Sequence, residues 1–485
     1  MQQLLFALSQ LPEFQQLAAA LDNGLSPVAV SGLSGAHRAY FAAALRKQSG
    51  RTVALLCADD AECQRMASDL RSLTGKEVLT LPSREFTFHN AAVVSRQWEQ
   101  LRLRTLWALA QGSVPFLVAP AEALIQRTMP PQLLTQASLV LKMEERYDLN
   151  ELAESLTAAG YSRCDQVEGI GQFALRGGIL DFFSPAHPQP VRIEFFGDDV
   201  DSMGLFDVST QRRTEQLQEA RILPAAEVLP QFAPGGSMGL VTALDQRLAA
   251  AVKKGSSDQL LVTLAQDKEA LENGLSFPAI DRYLALIYPK MATALDYLPP
   301  DAAVLISDSP RFMERCKNEL WQVNEDVTAL AESGVLLPEL GRFCLTPEEL
   351  TAALEEWAVA YLDPFTSSQY PQRPRQLLAL TAKQLSPYGV SLETAVSDLS
   401  HYLTAGFSVV VLAGSEQRCL NLQALLRDQN VRSAVDFKLS SLPQPGQAVI
   451  CCGGLSSGME FPTIRLAILT EGSAAPIKKR KGKAP

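Results

Sequence analysis

Val28-Ala29-Val30-Ser31-Gly32-Leu33-Ser34-Gly35-Ala36-His37-Arg38-Ala39 decides the fold: a short apolar strand, a glycine-bearing turn, then helical spacing from about Ala36. That order places the turn where a P-loop sits at the edge of a parallel α/β sheet. A working P-loop wraps backbone N–H groups around phosphates, then adds a lysine for the β/γ-phosphates and a hydroxyl for magnesium. Set against G-x-x-G-x-G-K-[ST], His37 takes the last glycine, Arg38 the lysine and Ala39 the hydroxyl. Arg38 keeps a positive charge, but Ala39 has no oxygen for a metal and His37 intrudes on the loop. No Asp-Glu dipeptide occurs anywhere in the chain. Phosphoryl transfer then loses its main electrostatic support, so no ATP hydrolysis is expected. A tight strand-to-helix turn needing small residues suffices to explain Gly32 and Gly35.

Outward from this turn, Val53 to Cys57, Val78 to Leu81 and Phe116 to Ala119 read as further buried strands. Asp59 or Asp60 is placed to cap the next helix. Ser95 to Ala110 carries Trp98, Leu101, Leu106 and Trp107 at helical spacing. Together these predict a parallel, helix-covered sheet. After about Pro130 the period changes. A helix over Leu149 to Ala159 gives way at Gly160 to strands within Gln172 to Phe183 and over Val191 to Phe196, with Gly197-Asp198-Asp199 as a turn. From about Arg221 the α/β rhythm resumes, with Leu260 to Leu264 and Val304 to Ser307 read as strands.

The expected fold is therefore α/β: a split P-loop NTPase-like domain (1–125 and 213–362) interrupted by an α+β insertion (126–212). A linker rich in Pro and Ser follows (363–375), then a small α/β domain (376–472) with strands near Leu377 to Leu380, Val409 to Leu412, Ala448 to Cys452 and Ile464 to Leu469. The last residues, 473–485, hold Lys478, Lys479, Arg480, Lys481 and Lys483, and read as a disordered basic tail.

Composition excludes several classes. The 485 residues carry a net charge of -10, which argues against coating nucleic acid over the whole surface, so any such contact would be local. The eight cysteines are scattered without a C-x-x-C pair, so buried free thiols are expected and no metal site. No run of about eighteen apolar residues and no basic n-region appears, and a cytoplasmic protein without membrane contact is expected.

The inserted domain carries the candidate site. Val191, Ile193 and Phe195 alternate with Arg192, Glu194 and Phe196, giving one apolar face and one that mixes charge with an aromatic ring. Arg176 precedes Gly177-Gly178 nearby, and Arg163 follows the Gly160-Tyr161 turn. Two readings fit. Arginine with exposed aromatics is the composition of a protein-binding hot spot. Cross-strand salt bridging on a solvated sheet, worth about 1 kcal/mol or less per pair, needs no partner.

At these residues the chain resembles a known family. Gly171-Gln-Phe-Ala-Leu-Arg176-Gly-Gly-Ile-Leu-Asp181-Phe-Phe and Arg192-Ile-Glu194-Phe-Phe-Gly197-Asp-Asp-Val-Asp201-Ser202 resemble the segment that the excision-repair helicase UvrB shares with bacterial transcription-repair coupling factors. Leu81-Pro-Ser-Arg84-Glu85-Phe, Glu122-Ala-Leu-Ile-Gln126-Arg127-Thr-Met-Pro-Pro and the altered loop through Arg38 resemble the coupling factors in particular, as does Gly453-Gly-Leu-Ser-Ser-Gly458-Met-Glu-Phe-Pro462. The resemblance implies a degenerate helicase-like split domain, an inserted UvrA-binding domain and a third small domain of undefined role. It implies UvrA as partner, with Arg163, Arg176, Arg192, Glu194 and Phe196 on the binding surface and no catalytic residue. RNA polymerase, double-stranded DNA and ATP are implied only for a C-terminal polymerase-interacting region and translocase that would follow Pro485. An intramolecular contact with that motor, masking the UvrA site, is implied too. The competing expectations are a UvrB-type ATPase with an unusual nucleotide loop, and a stand-alone DNA-binding protein using the basic tail, which otherwise reads as the front of a longer linker.

Overall fold

A computed structural model describes residues 1–90, 97–112, 114–275, 277–389 and 392–472. The basic tail expected at 473–485 lies outside the described residues, as do Ser95 and Arg96 of the expected helix. Helices α1 (Gln2–Leu8) and α2 (Pro12–Asp22) precede β1 (Val28–Ser31), α3 (Ala36–Ser49), β2 (Val53–Cys57), α4 (Asp60–Thr74), β3 (Leu79–Thr80), α5 (Gln97–Ala110) and β4 (Phe116–Pro120). Asp59 caps α4 by accepting from the Glu62 amide at 2.8 Å, and Gly75 ends the helix in the left-handed region.

The insertion follows: β5 (Leu139–Lys142), a helix over Leu149–Ala158, then β6 (Ser162–Arg163), β7 (Gln172–Arg176), β8 (Ile179–Phe182), β9 (Val191–Phe196), β10 (Asp199–Phe206), β11 (Arg213–Gln216) and β12 (Glu219–Ile222). Strands β6 to β11 form one sheet in reverse order, antiparallel except for the β6–β7 pair. The helix covers its apolar face through Leu152 and Leu156. Strands β5 and β12 pair antiparallel, Lys142 opposite Glu219, so the chain enters and leaves the insertion along one two-stranded ribbon.

The host domain resumes with β13 (Ala303–Ser307) and β14 (Ala358–Asp363). Its sheet, completed at one edge by β15 (Gln376–Ala379), runs β15-β1-β14-β13-β2-β4-β3, all parallel. Strands buried on both faces, such as Ala-Val-Leu-Ile-Ser of β13, read as continuous apolar runs. A buried ionic cluster joins the two halves across the insertion. The Arg102 Nε lies 3.1 Å from Glu227, which also accepts from Thr128 Oγ1 at 2.7 Å, while Arg84 pairs with Asp281.

Two sequence expectations are corrected. Leu260 to Leu264 is not a strand but part of the Asp258–Glu272 helix, capped by Ser257. Its buried positions, Leu260, Thr263, Leu264, Asp267 and Leu271, recur at helical spacing, which a five-residue apolar window hides. Leu377 to Leu380 does form a strand, β15 (Gln376–Ala379), but it pairs parallel with β1 at the edge of the host sheet instead of joining the small C-terminal sheet.

That small sheet has the order β16-β20-β21-β17-β19-β18 and comprises β16 (Lys383–Leu385), β17 (Ser408–Ala413), β18 (Ala434–Val435), β19 (Ala448–Cys452), β20 (Gly458–Phe461) and β21 (Leu466–Thr470). It shares one apolar core with the N-terminal lobe: Leu33, Tyr40 and Leu70 lie in the same cluster as Leu412, Leu455, Phe461 and Ile468. All eight cysteines are free thiols, six of them buried and Cys164 and Cys452 partly so. Among the described residues no helix is long and apolar enough to cross a membrane.

Candidate functional site

Register in the inserted sheet sorts its residues by face. Opposite Arg192 on β9 lie Asp181 on β8 and Gly204 on β10; opposite Glu194 lie Ile179 and Ser202; Arg176 on β7 faces Ile179. Cross-strand partners share a face, so Arg176, Arg192, Glu194 and Phe196 stand together on the side away from the Leu149–Ala158 helix. On the other side Phe173, Leu180, Phe182, Val191 and Ile193 fill the insertion's core.

Asp181 organises this face. It is 1% exposed and accepts from Arg176 Nη2 at 2.6 Å and from Arg192 Nε and Nη2 at 2.7 and 2.8 Å. The Arg192 guanidinium also stacks over the Phe206 ring at 4.5 Å and donates to Gln211, and its hydrogen bonds to Asp181 push its pKa above the usual arginine value. Its side chain is only 20% exposed, whereas that of Arg176 is 49% exposed and can use its free edge outward. Glu194 accepts from Ser202 Oγ at 2.9 Å and from Arg213 Nη2 at 3.3 Å. Phe196, 83% exposed, touches the two-residue turn Gly197-Asp198, where Gly197 adopts φ +65°. An aromatic ring this open, on the same face as a half-open arginine held by a buried carboxylate, can serve as a protein-binding anchor.

Arg163 does not join them. It lies on β6 opposite Phe173, whose side chain points into the core, and lines a cavity of about 1200 Å³ between insertion and host with Tyr161, Phe173, Leu229 and Phe277. Asp181, Ser202 and Arg213 were not singled out by sequence reasoning. For Asp181 a signal existed: a lone acid inside Ile-Leu-Asp-Phe-Phe, at the parity of the charged face.

The altered nucleotide loop is fully described. Gly32 and Gly35 both adopt positive φ, +92° and +50°. Arg38 turns inward, donating from Nη1 to Glu62 at 3.0 Å and to Ser307 Oγ at 2.9 Å, and from Nε to the Leu33 carbonyl. His37 is buried, its Nδ1 is 2.7 Å from the Ser34 carbonyl oxygen, and burial pushes its imidazole pKa down to about 4. Ala39 is wholly buried. Around the loop, the Ala36 amide donates to Ser457 Oγ, and Asp69 on α4 accepts from the Ser456 amide at 2.7 Å and hydroxyl at 2.5 Å. Burial pushes the Asp69 carboxyl up to about 6.

Residues 139–228 match the model of the UvrB interaction domain, a span that contains the whole inserted sheet and its ribbon. The chain is 28% identical over 465 residues to the transcription-repair-coupling factor of Bacillus subtilis (strain 168), covering 95% of this chain and 39% of that protein. It is 25% identical over 466 residues to that of Staphylococcus aureus (strain MRSA252), covering 94% of this chain and again 39% of the relative. The chain thus spans about two-fifths of the length of the curated relatives it matches. Along nearly its whole length this chain is similar to part of the transcription-repair-coupling factors, and it carries a UvrB interaction domain within a helicase-like α/β frame.

Proposed function

We propose that this chain is a docking module of transcription-coupled nucleotide excision repair, recruiting UvrA through the Arg176, Arg192, Glu194 and Phe196 face of its inserted domain and hydrolysing no ATP itself. The observation that carries this reading is the pairing of a UvrB interaction domain match over 139–228 with an open Phe196 on the same sheet face as an anchored Arg176. The host domain serves as the frame. Its Arg38, at the position of a P-loop lysine, is neutralised by Glu62, and Ala39 supplies no metal ligand, so the frame holds the insertion without nucleotide chemistry. RNA polymerase engagement and movement along DNA, which the resemblance assigns to segments outside this chain, form no part of the proposed activity.

Two measurements test it. Purified UvrA should bind the chain saturably, and the binding should weaken when Arg176 or Phe196 is replaced by alanine. Phosphate release from ATP with magnesium should stay at the buffer rate. No complex with UvrA, or sustained ATP turnover, would refute the proposal.

A further inference from the structure

A P-loop binds phosphate because its backbone N–H groups are unoccupied and converge on the hollow above the helix N-terminus. In this chain several of those donors are in use. The Leu33 amide donates to the Asp363 carbonyl at 2.9 Å, the His37 amide to Ser34, the Arg38 amide to Gly35, and the buried Ala36 amide to Ser457 Oγ at 3.2 Å. The hollow itself holds protein atoms. A Cβ placed on Gly35 would lie 2.7 Å from both Gln384 Oε1 and Ser457 Oγ, and one placed on Gly32 would collide with the Leu380 carbonyl.

We infer that the Gly32–Arg38 loop is an intramolecular protein-binding site whose ligand is the small C-terminal unit, through Gln384 and the 456–461 segment. The Ser457 hydroxyl accepts from the Ala36 amide above the helix terminus, and the Gln384 amide oxygen lies close beside Gly35. Phe461 seals the mouth, its ring 5.3 Å from His37 and 5.7 Å from Tyr40. Asp69 and Ser72 on α4 hold the same segment from the side by accepting from Ser456 and Gly454. Gly35 therefore has a purpose that survives the loss of nucleotide chemistry: it lets side chains of the small unit approach closely, while Gly32 makes room for the Leu380 carbonyl just past β15 of the host sheet. The small unit, in turn, has a role of its own, as the permanent occupant of the loop. Restoring lysine and hydroxyl to the loop would not open it to phosphate, because the hollow is already filled.

Hydrogen–deuterium exchange on the whole chain tests this. In Ser457→Ala, amides of the 34–38 segment should exchange about ten-fold faster, as expected for loss of one buried hydrogen bond, while the β9–β10 amides keep their protection. Gln384→Ala should act in the same direction. A second arm restores the motif as His37→Gly, Arg38→Lys and Ala39→Thr together. A fluorescent ATP analogue with magnesium should show no saturable binding to this variant. Unchanged loop exchange in both single variants, or magnesium-dependent analogue binding by the restored loop, would overturn the inference. Should loss of the buried Arg38–Glu62 pair prevent the triple variant from folding, the exchange measurements decide alone.

Discussion

Phe196→Ala isolates the proposed UvrA contact from the stability of the chain. The ring is 83% exposed and absent from the insertion's core, so its removal costs the free protein little. A phenylalanine side chain buries about 150–250 Å² when fully covered. If a partner covers about half of that, about 100 Å² leaves water, which at about 25 cal/mol per Å² corresponds to about 2.5 kcal/mol. The dissociation constant for UvrA should then rise between about 30- and 100-fold. Titration calorimetry of UvrA into parent and variant reads this directly, and the urea midpoint of each free protein provides the control. An unchanged dissociation constant with an unchanged midpoint would refute the placement of UvrA on this face. Loss of binding accompanied by a lowered midpoint would refute the view that the ring is idle in the free chain.

Further outcomes follow from the buried charges. Asp181→Ala removes the carboxylate that holds Arg176 and Arg192, leaving the part-buried Arg192 guanidinium without its main partner; a loss of about 2 kcal/mol in urea unfolding, together with weaker UvrA binding, is expected. Arg38→Ala strands Glu62 in the host core and should cost about 3–5 kcal/mol by the same measurement, with Arg38→Lys recovering part of it. At the junction with the small unit two groups titrate in opposite senses. Asp69, raised by burial to about 6 with Arg65 and Ser456 facing it, takes up its proton more readily when folded, so it adds stability as pH falls through 6 toward its unfolded value. His37, lowered by burial to about 4 beside Arg38 and Ser34, resists protonation when folded, so it removes stability as pH falls from 6.5. Relative to the parent, Asp69→Asn should lose thermal stability between pH 7 and 5, and His37→Gln should gain it. Calorimetric scans in which both variants track the parent at every pH would contradict these assignments.

The host sheet was legible because strands buried on both faces, such as Val53 to Cys57, are apolar throughout and bounded by caps like Asp59. Leu260 to Leu264 misled because its helical spacing becomes visible only out to Leu271. The membership of β15 was hidden for a different reason. Leu377 is 61% exposed and Leu378 buried, a pattern that suits the edge of either sheet, and the pairing with Val28 spans most of the chain. At the candidate site, period-two alternation alone placed Arg192, Glu194 and Phe196 on one face. Asp181 escaped because its role depends on the register of three strands, and Arg163 was grouped with the others because sequence proximity does not reveal the side of a sheet. The contacts of Gln384 and Ser457 with Gly35 could not be foreseen, since nothing local to the loop encodes what will cover it.

The ribbon of β5 and β12 makes the inserted domain severable from the chain at one place. Lys142 and Glu219 are already neighbours across that ribbon, so a chain joined there through a two-residue turn would close as a hairpin. The host sheet takes no strand from the excised stretch, and Leu141, Ala220 and Ile222 are among the ribbon side chains left without cover. Away from the ribbon the host also grips the insertion, through Gln100 to the Ile170 carbonyl and Gln231 to the Ala158 carbonyl, so a frame relieved of its insertion would need new cover at each of these places.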